Sequence, residues 1–181
     1  ANPRRRMPEL PLRIASLVPS LTELLFALDL GANLVARTGF CVHPREQVRR
    51  VPKVGGTKDV DVDALFATRP THVVVNVDEN RKDAIEALRE RVPTIVVTHP
   101  LVPEDNVALY EEFGRLFDRS REAALLAAAY GSARDELERA VRHAGHRSVL
   151  YLIWKDPWMT VSRTTYISSL LAMANLVTLP A

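Results

Sequence analysis

One cysteine in 181 residues excludes a disulfide within the chain, and with it the small folds stapled by several bridges. Long apolar runs are missing as well. No stretch approaches the roughly 18 residues that a membrane-spanning helix needs. Charge of one sign is scarce too: the net charge is +2, and the three arginines Arg4, Arg5 and Arg6 stand together in the opening ANPRRRMPEL. Setting that run aside leaves 21 basic against 22 acidic side chains, a balance that offers no basic face to nucleic acid. The arginine run reads as a solvated tail over 1–12. A secretion signal would place an apolar segment next, and MPELPL is too short and too rich in proline for that. Enzyme signatures are absent: there is no G-x-S-x-G, no phosphate-binding P-loop, no G-x-G-x-x-G and no H-E-x-x-H.

What is present is an alternation of strands and helices. RIASLV (13–18) reads as a short buried strand. In PSLTELLFALDLG, Ser20 followed by Glu23 forms a capping box, Leu21, Leu24, Leu25 and Leu28 share one helical face, and Gly31 supplies the stop. NLVART (33–38) reads as the second strand, with GFCVHP as the loop that leaves it. A Gly-Gly turn, a short helix near 61–68, a strand over THVVVNV (71–77), a helix over NRKDAIEALRER and a strand over PTIVVTH (93–99) follow. Such alternation predicts parallel βαβ units, an α/β fold with helices on both faces of the sheet.

Past Pro103 the pattern becomes helical to about 144, with a break at FDRS (117–120). The portion from 119 on would be about 40 Å long at the usual rise per residue, longer than a crossover needs. SVLYLIW (148–154) then starts a new strand, KDPWMTVSR reads as a loop, TTYISSLLAMAN as a short helix, and NLVTLPA as the beginning of another strand.

Three stretches in this order, RIASLVPSLTELLFALDLGANLVARTGFCVHP, VGGTKDVDVDALFATRPTHVVV and VLYLIWKDPWMTVSRTTYISSLLAMAN, resemble the periplasmic substrate-binding proteins of cobalamin and iron–siderophore ABC importers. The match spans about residues 13–177 and is nearest to the cobalamin-binding branch. That resemblance implies two α/β lobes joined by one long backbone helix, with the ligand held between them. The expected domains are a tail (1–12), a first lobe (13–117), the backbone helix (118–146) and the start of a second, incomplete lobe (147–181). Members run considerably longer than this chain, and weak binding or none is expected of the 181 residues alone. The implied function is a receptor delivering a corrinoid, with no prosthetic group of its own, to a permease and its ATPase from the periplasm or a tether outside the cell membrane. A ferric siderophore or haem is the alternative cargo. A reading of another class is a small α/β enzyme with Cys41 as nucleophile.

The resemblance also places site residues. Phe40 falls where an aromatic side chain lies against the corrin, a use that suits a large flat ligand; plugging the strand end is the other reading. Thr57 and Lys58 follow the Gly-Gly turn, where backbone can approach a ligand closely. The tryptophan that cobalamin binders carry near this turn is missing here. Trp154 and Trp158 bracket KDP in the corresponding loop of the second lobe, with Trp158 expected to be the exposed one. Ser162, Arg163 and Tyr166 belong to the same region. Asp63, in preference to Asp61, lines up with the acid that pairs with permease arginines; a helix-start acid favoured by the macrodipole is the competing account. In an extended FCVHP, Cys41 and His43 point the same way. Two such ligands are too few for a closed zinc site, so their metal role would be axial or auxiliary, toward a metal that arrives already chelated.

Overall fold

The computed structural model describes residues 11–179, so the expected tail lies, apart from Pro11 and Leu12, outside the described residues. The chain divides into two compact units between His99 and Pro100, whereas the sequence reading carried the first lobe to 117.

The first unit is built on four parallel strands: β1 (Ile14–Ser16), β2 (Leu34–Arg37), β3 (His72–Asn76) and β4 (Thr94–Thr98), in the order β2-β1-β3-β4. The β-branched runs that marked these strands are buried on both faces, as a covered parallel sheet requires. On one face Ala15, Leu17, Val73 and Val75 pack into a core with Ala36, Leu65, Ile85 and Leu88. Leu65 comes from helix α3 (Val62–Ala67), and Ile85 and Leu88 from α4 (Lys82–Arg89). The opposite face carries Ser16, whose hydroxyl accepts a 2.8 Å hydrogen bond from Thr22 of helix α1 (Pro19–Ala27). The parallel α/β architecture expected from the sequence is thus present.

Local details differ. No capping box forms at Ser20: Pro19, with its preset φ, occupies the first turn and moves the cap to Val18, which has no side-chain acceptor. Nor does Gly31 end the helix. Asp29 takes the left-handed position at φ 57, and the Leu30 and Asp29 amides donate back to Leu25 and Phe26 in a Schellman pattern. Gly31 is instead required by the Phe26 ring, which lies where its Cβ would stand. A short helix α2 (Arg45–Val48) also appears just after the GFCVHP loop, in a segment to which the sequence reading assigned no element.

The second unit contains α5 (Asp105–Leu116) and α6 (Ser120–Val141), the latter 22 residues long. Between them Asp118 turns at φ 56, and Gly114 lets α6 approach so closely that a Cβ there would stand 2.6 Å from that of Ala123. The single strand expected over 148–154 is two. β5 (Arg147–Val149) pairs in parallel with β8 (Leu176–Thr178), while β6 (Leu152–Trp154) pairs antiparallel with β7 (Met159–Thr160). The chain changes partner at Leu150 and Tyr151, and the Tyr151 carbonyl accepts a 2.7 Å bond from the Thr160 hydroxyl. Helix α7 (Tyr166–Ala172) is capped by Thr165, whose hydroxyl accepts from the Ser168 amide.

Candidate functional site

Parallel strands with a reversal of order at β1/β3 leave a crevice at their carboxyl ends, where open α/β sheets hold ligands. The loops after β1, β2 and β3 converge on that edge, together with the turn at Gly55. Two buried polar side chains fix them. Arg37, at the end of β2 and 4% exposed, donates from Nε to the Val48 and Val51 carbonyls at 2.9 and 3.2 Å, and from Nη1 to Thr38 and Cys41 at 3.1 and 2.9 Å. This guanidinium is therefore wrapped by the FCVHP loop and by the turn after α2. Asn80, also buried, donates to the Leu17 and Thr57 carbonyls at 3.2 and 3.0 Å and accepts from the Asn76 amide at 3.0 Å. It ties the ends of β1 and β3 to the Gly-Gly turn. Neither residue was singled out from the sequence. Arginine at a strand end and asparagine in DEN both resemble ordinary surface positions.

On this frame Phe40 is 64% exposed. Its ring lies over the Gly-Gly turn, with Cε2 3.5 Å from where a Gly56 Cβ would stand. The Gly39 amide donates to the Gly55 carbonyl at 2.7 Å, so the aromatic loop and the glycine turn are brought together. Thr57 is buried, and its carbonyl is the one held by Asn80. Lys58 is exposed and donates to the Asp78 carbonyl at 2.5 Å, while the Asp78 carboxylate faces His99 Nε2 at 3.3 Å. Asp78 and His99 at the ends of β3 and β4 extend this edge and were also missed.

The expected pairing of Cys41 with His43 is not found. The Cys41 amide closes a turn on the Thr38 carbonyl at 3.2 Å, and the alternation of an extended strand does not apply inside a turn. Cys41 is 0% exposed, its sulfur 3.2 Å from the Thr38 hydroxyl and 3.9 Å from the Ser16 carbonyl. His43 is exposed and borders a depression of about 470 Å³ shared with Glu23 and Phe26 of α1. A metal cannot be reached by both side chains from one side, and the enclosed thiol presents no face to a substrate. Among the described residues no three His, Cys, Asp or Glu side chains are grouped to hold a metal ion.

Asp61 caps α3, accepting from the Ala64 amide at 2.9 Å, and Asp63 stands exposed in the first turn with no ion pair among the described residues. Nearby, the hydrogen-bonded Arg81 guanidinium holds the Asp83 carboxyl below its usual range.

In the second unit both tryptophans are exposed, Trp154 at 64% and Trp158 at 65%, with the Lys155 ammonium 5.9 Å above the Trp158 ring. Trp154 was expected to be the buried one. Among the described residues β6 has only the short β7 beside it, which leaves this side chain open. Ser162, Arg163 and Tyr166 are engaged internally. The Ser162 carbonyl accepts from the Ser168 hydroxyl at 2.7 Å, Arg163 Nε donates to Thr178, and the Tyr166 hydroxyl accepts from Asn106 of α5 at 2.7 Å.

Comparison with known proteins places this geometry. A vitamin B12-binding protein of Photorhabdus laumondii is 31% identical over 78 residues, covering 43% of this chain and 28% of that protein. An uncharacterised ABC transporter substrate-binding lipoprotein of Bacillus subtilis is 33% identical over 91 residues, 49% of this chain and 28% of its own length. The crystal structure of a periplasmic haem-binding protein from Pseudomonas aeruginosa superposes with a TM-score of 0.83 at 19% identity, over 95% of this chain and 64% of that one. The chain therefore corresponds to under two thirds of the length of these proteins. No helix among the described residues is long and apolar enough to cross a membrane. The family model for periplasmic binding proteins matches residues 14–179, and the chain belongs to that family.

Proposed function

We propose that the chain is the ligand-binding part of a solute receptor for an ABC importer, and that its cargo is a planar metal chelate, a corrinoid in the first place. The observation that carries this reading is Phe40. A large apolar ring stands open at the carboxyl edge of a parallel sheet, on a loop whose backbone is pinned by a buried guanidinium. An aromatic face held this way buries ligand area with little loss of side-chain freedom. The exposed indoles Trp154 and Trp158 of the second unit offer the same chemistry. Likeness to a B12-binding protein supports a corrinoid, and likeness to a haem-binding structure supports haem as the second cargo. On this reading exposed Asp63 meets the arginines of a permease, and the receptor works outside the cell membrane with permease and ATPase as partners.

The test is titration of the full-length receptor, second lobe included, with cyanocobalamin, haemin and a ferric hydroxamate siderophore, followed by fluorescence quenching. Saturable corrinoid binding that weakens about ten-fold in Phe40→Ala supports the reading, roughly the effect of removing one well-packed aromatic contact. Tighter haemin binding with the same Phe40 dependence changes the cargo and keeps the site. Binding of all three that ignores Phe40 refutes the site. Asp63→Lys should leave affinity unchanged and weaken capture by the permease.

A further inference from the structure

The opposite end of the first unit's sheet carries a second cavity. Its volume is about 560 Å³, and its lining comes from residues that immediately precede β1, β3 and β4 (Arg13, Thr71, Pro93) and from the ends of α3 and α4 (Phe66, Arg69, Arg91). These are the amino ends of the strands, about 16 Å of strand away from the carboxyl edge. The cavity is rich in positive charge: three guanidinium groups border it, and none of them forms an ion pair among the described residues.

The three are not equivalent. Arg13 is fixed by its bonds to the carbonyls just past α3, with Nε donating to Thr68 and Arg69 at 3.2 and 3.1 Å and Nη2 to Thr68 at 2.6 Å. Its Nη1 has no hydrogen-bond partner among the described residues, so one edge of an already immobilised fork is left over. Arg91 lies over the Phe66 ring, 3.9 Å from its centroid, a stack that holds the cation without neutralising it. Arg69 is exposed at the end of α3. Three like charges around one hollow repel each other unless an anion enters, and two of them are held in place before it does. The volume exceeds what an inorganic ion fills and falls within the range of small organic ligands. Phe66 and Pro93 add apolar surface to the cationic wall.

We propose that this cavity binds a small organic polycarboxylate, its carboxylates on the Arg69, Arg91 and Arg13 guanidiniums and its carbon body against Phe66 and the prolines. This site is independent of the chelate site at the other end of the sheet. The probe is benzene-1,3-dicarboxylate, titrated calorimetrically into the full chain, with the neutral diamide of the same shape and sodium sulfate as comparisons. One saturable site is expected for the dicarboxylate and none for the diamide, with sulfate weaker because it lacks the apolar body. Arg69→Ala and Arg91→Ala should each weaken binding by about five- to ten-fold, as loss of one charge-assisted contact does. Both side chains lie outside the core, and thermal melting of each variant confirms folding; Arg13, which caps α3, is left intact. Arg91→Lys keeps the charge without the fork and should recover only part of the loss. Phe40→Ala should leave this affinity unchanged, separating the site from the chelate reading. No saturation by roughly 10 mM, the weak end of specific association, overturns the proposal. So does equal binding of the diamide, or unchanged affinity in the Arg69→Ala/Arg91→Ala double variant.

Discussion

Replacing Arg37 with methionine tests whether a buried guanidinium, and not apolar packing, holds the aromatic loop. Methionine fills much of the same volume and removes every donor. Four carbonyls lose Arg37, but not equally. Thr38 still accepts from the Cys41 amide at 3.2 Å and Val48 from the Val51 amide at 3.0 Å. Among the described residues the Cys41 and Val51 carbonyls have no other donor. Two buried acceptors left unsatisfied cost about 1–3 kcal/mol each, partly offset because a charge no longer has to be desolvated. A net loss of about 3 kcal/mol follows, a large share of the stability of an ordinary domain. Hydrogen exchange reads it locally: protection of the amides between 38 and 51 should fall by roughly a hundred-fold, since each 1.4 kcal/mol is a factor of ten. The urea midpoint should drop as well. Arg37→Lys should recover little, because one ammonium cannot reach carbonyls on two segments at once. Protection in Arg37→Met within two-fold of the parent, at an unchanged midpoint, would refute the reasoning.

Two further outcomes follow from the same unit. Gly55→Ala meets both a φ of 89° and the Asp59 carbonyl and the Asp61 amide nitrogen, the latter 2.8 Å from the new Cβ; it should lower stability by on the order of 2–3 kcal/mol in urea denaturation, and a loss below a few tenths would contradict this geometry. His72 has its pKa lowered from 6.5 by burial, so between that depressed value and 6.5 the unfolded chain holds the extra proton and stability falls as pH drops, levelling off above 6.5. Melting temperatures at pH 8, 6.5 and 5 should decline less steeply on acidification in His72→Gln than in the parent, and parallel curves would dismiss the effect.

How far these features could be read from residues alone depends on the range of the forces behind them. The strands over 14–16, 34–37, 72–76 and 94–98 and the Leu21, Leu24, Leu25 face were legible because burial writes a period into the sequence. Helix ends were less so. Ser20 fits a cap by composition, yet Pro19 beside it starts the helix first, and Asp29 takes the left-handed turn that glycine usually fills because its short polar side chain tolerates it. The sheet switch at Leu150 leaves no local mark, since each half of SVLYLIW is equally strand-like and only the partner differs. Cys41 and His43 were misjudged because an alternation rule was applied across a turn. Phe40 was singled out from the sequence, but what holds its loop was not.

That last gap has a physical cause. A buried arginine is costly unless its donors are occupied, and nothing in FCVHP or RVPK announces that carbonyls from both will gather around Arg37. An apolar plug could have filled the space under the loop, but it would have specified only volume. Directed bonds to Thr38, Cys41, Val48 and Val51 specify where the backbone runs. Asn80 does the same between Leu17 and Thr57. Both therefore fix orientation at an edge of the sheet where apolar side chains face outward. Phe40 and Val77 are exposed there at 64% and 50%, so packing cannot hold that edge in place. Polar residues carry the rigidity, which leaves the aromatic face free for a ligand.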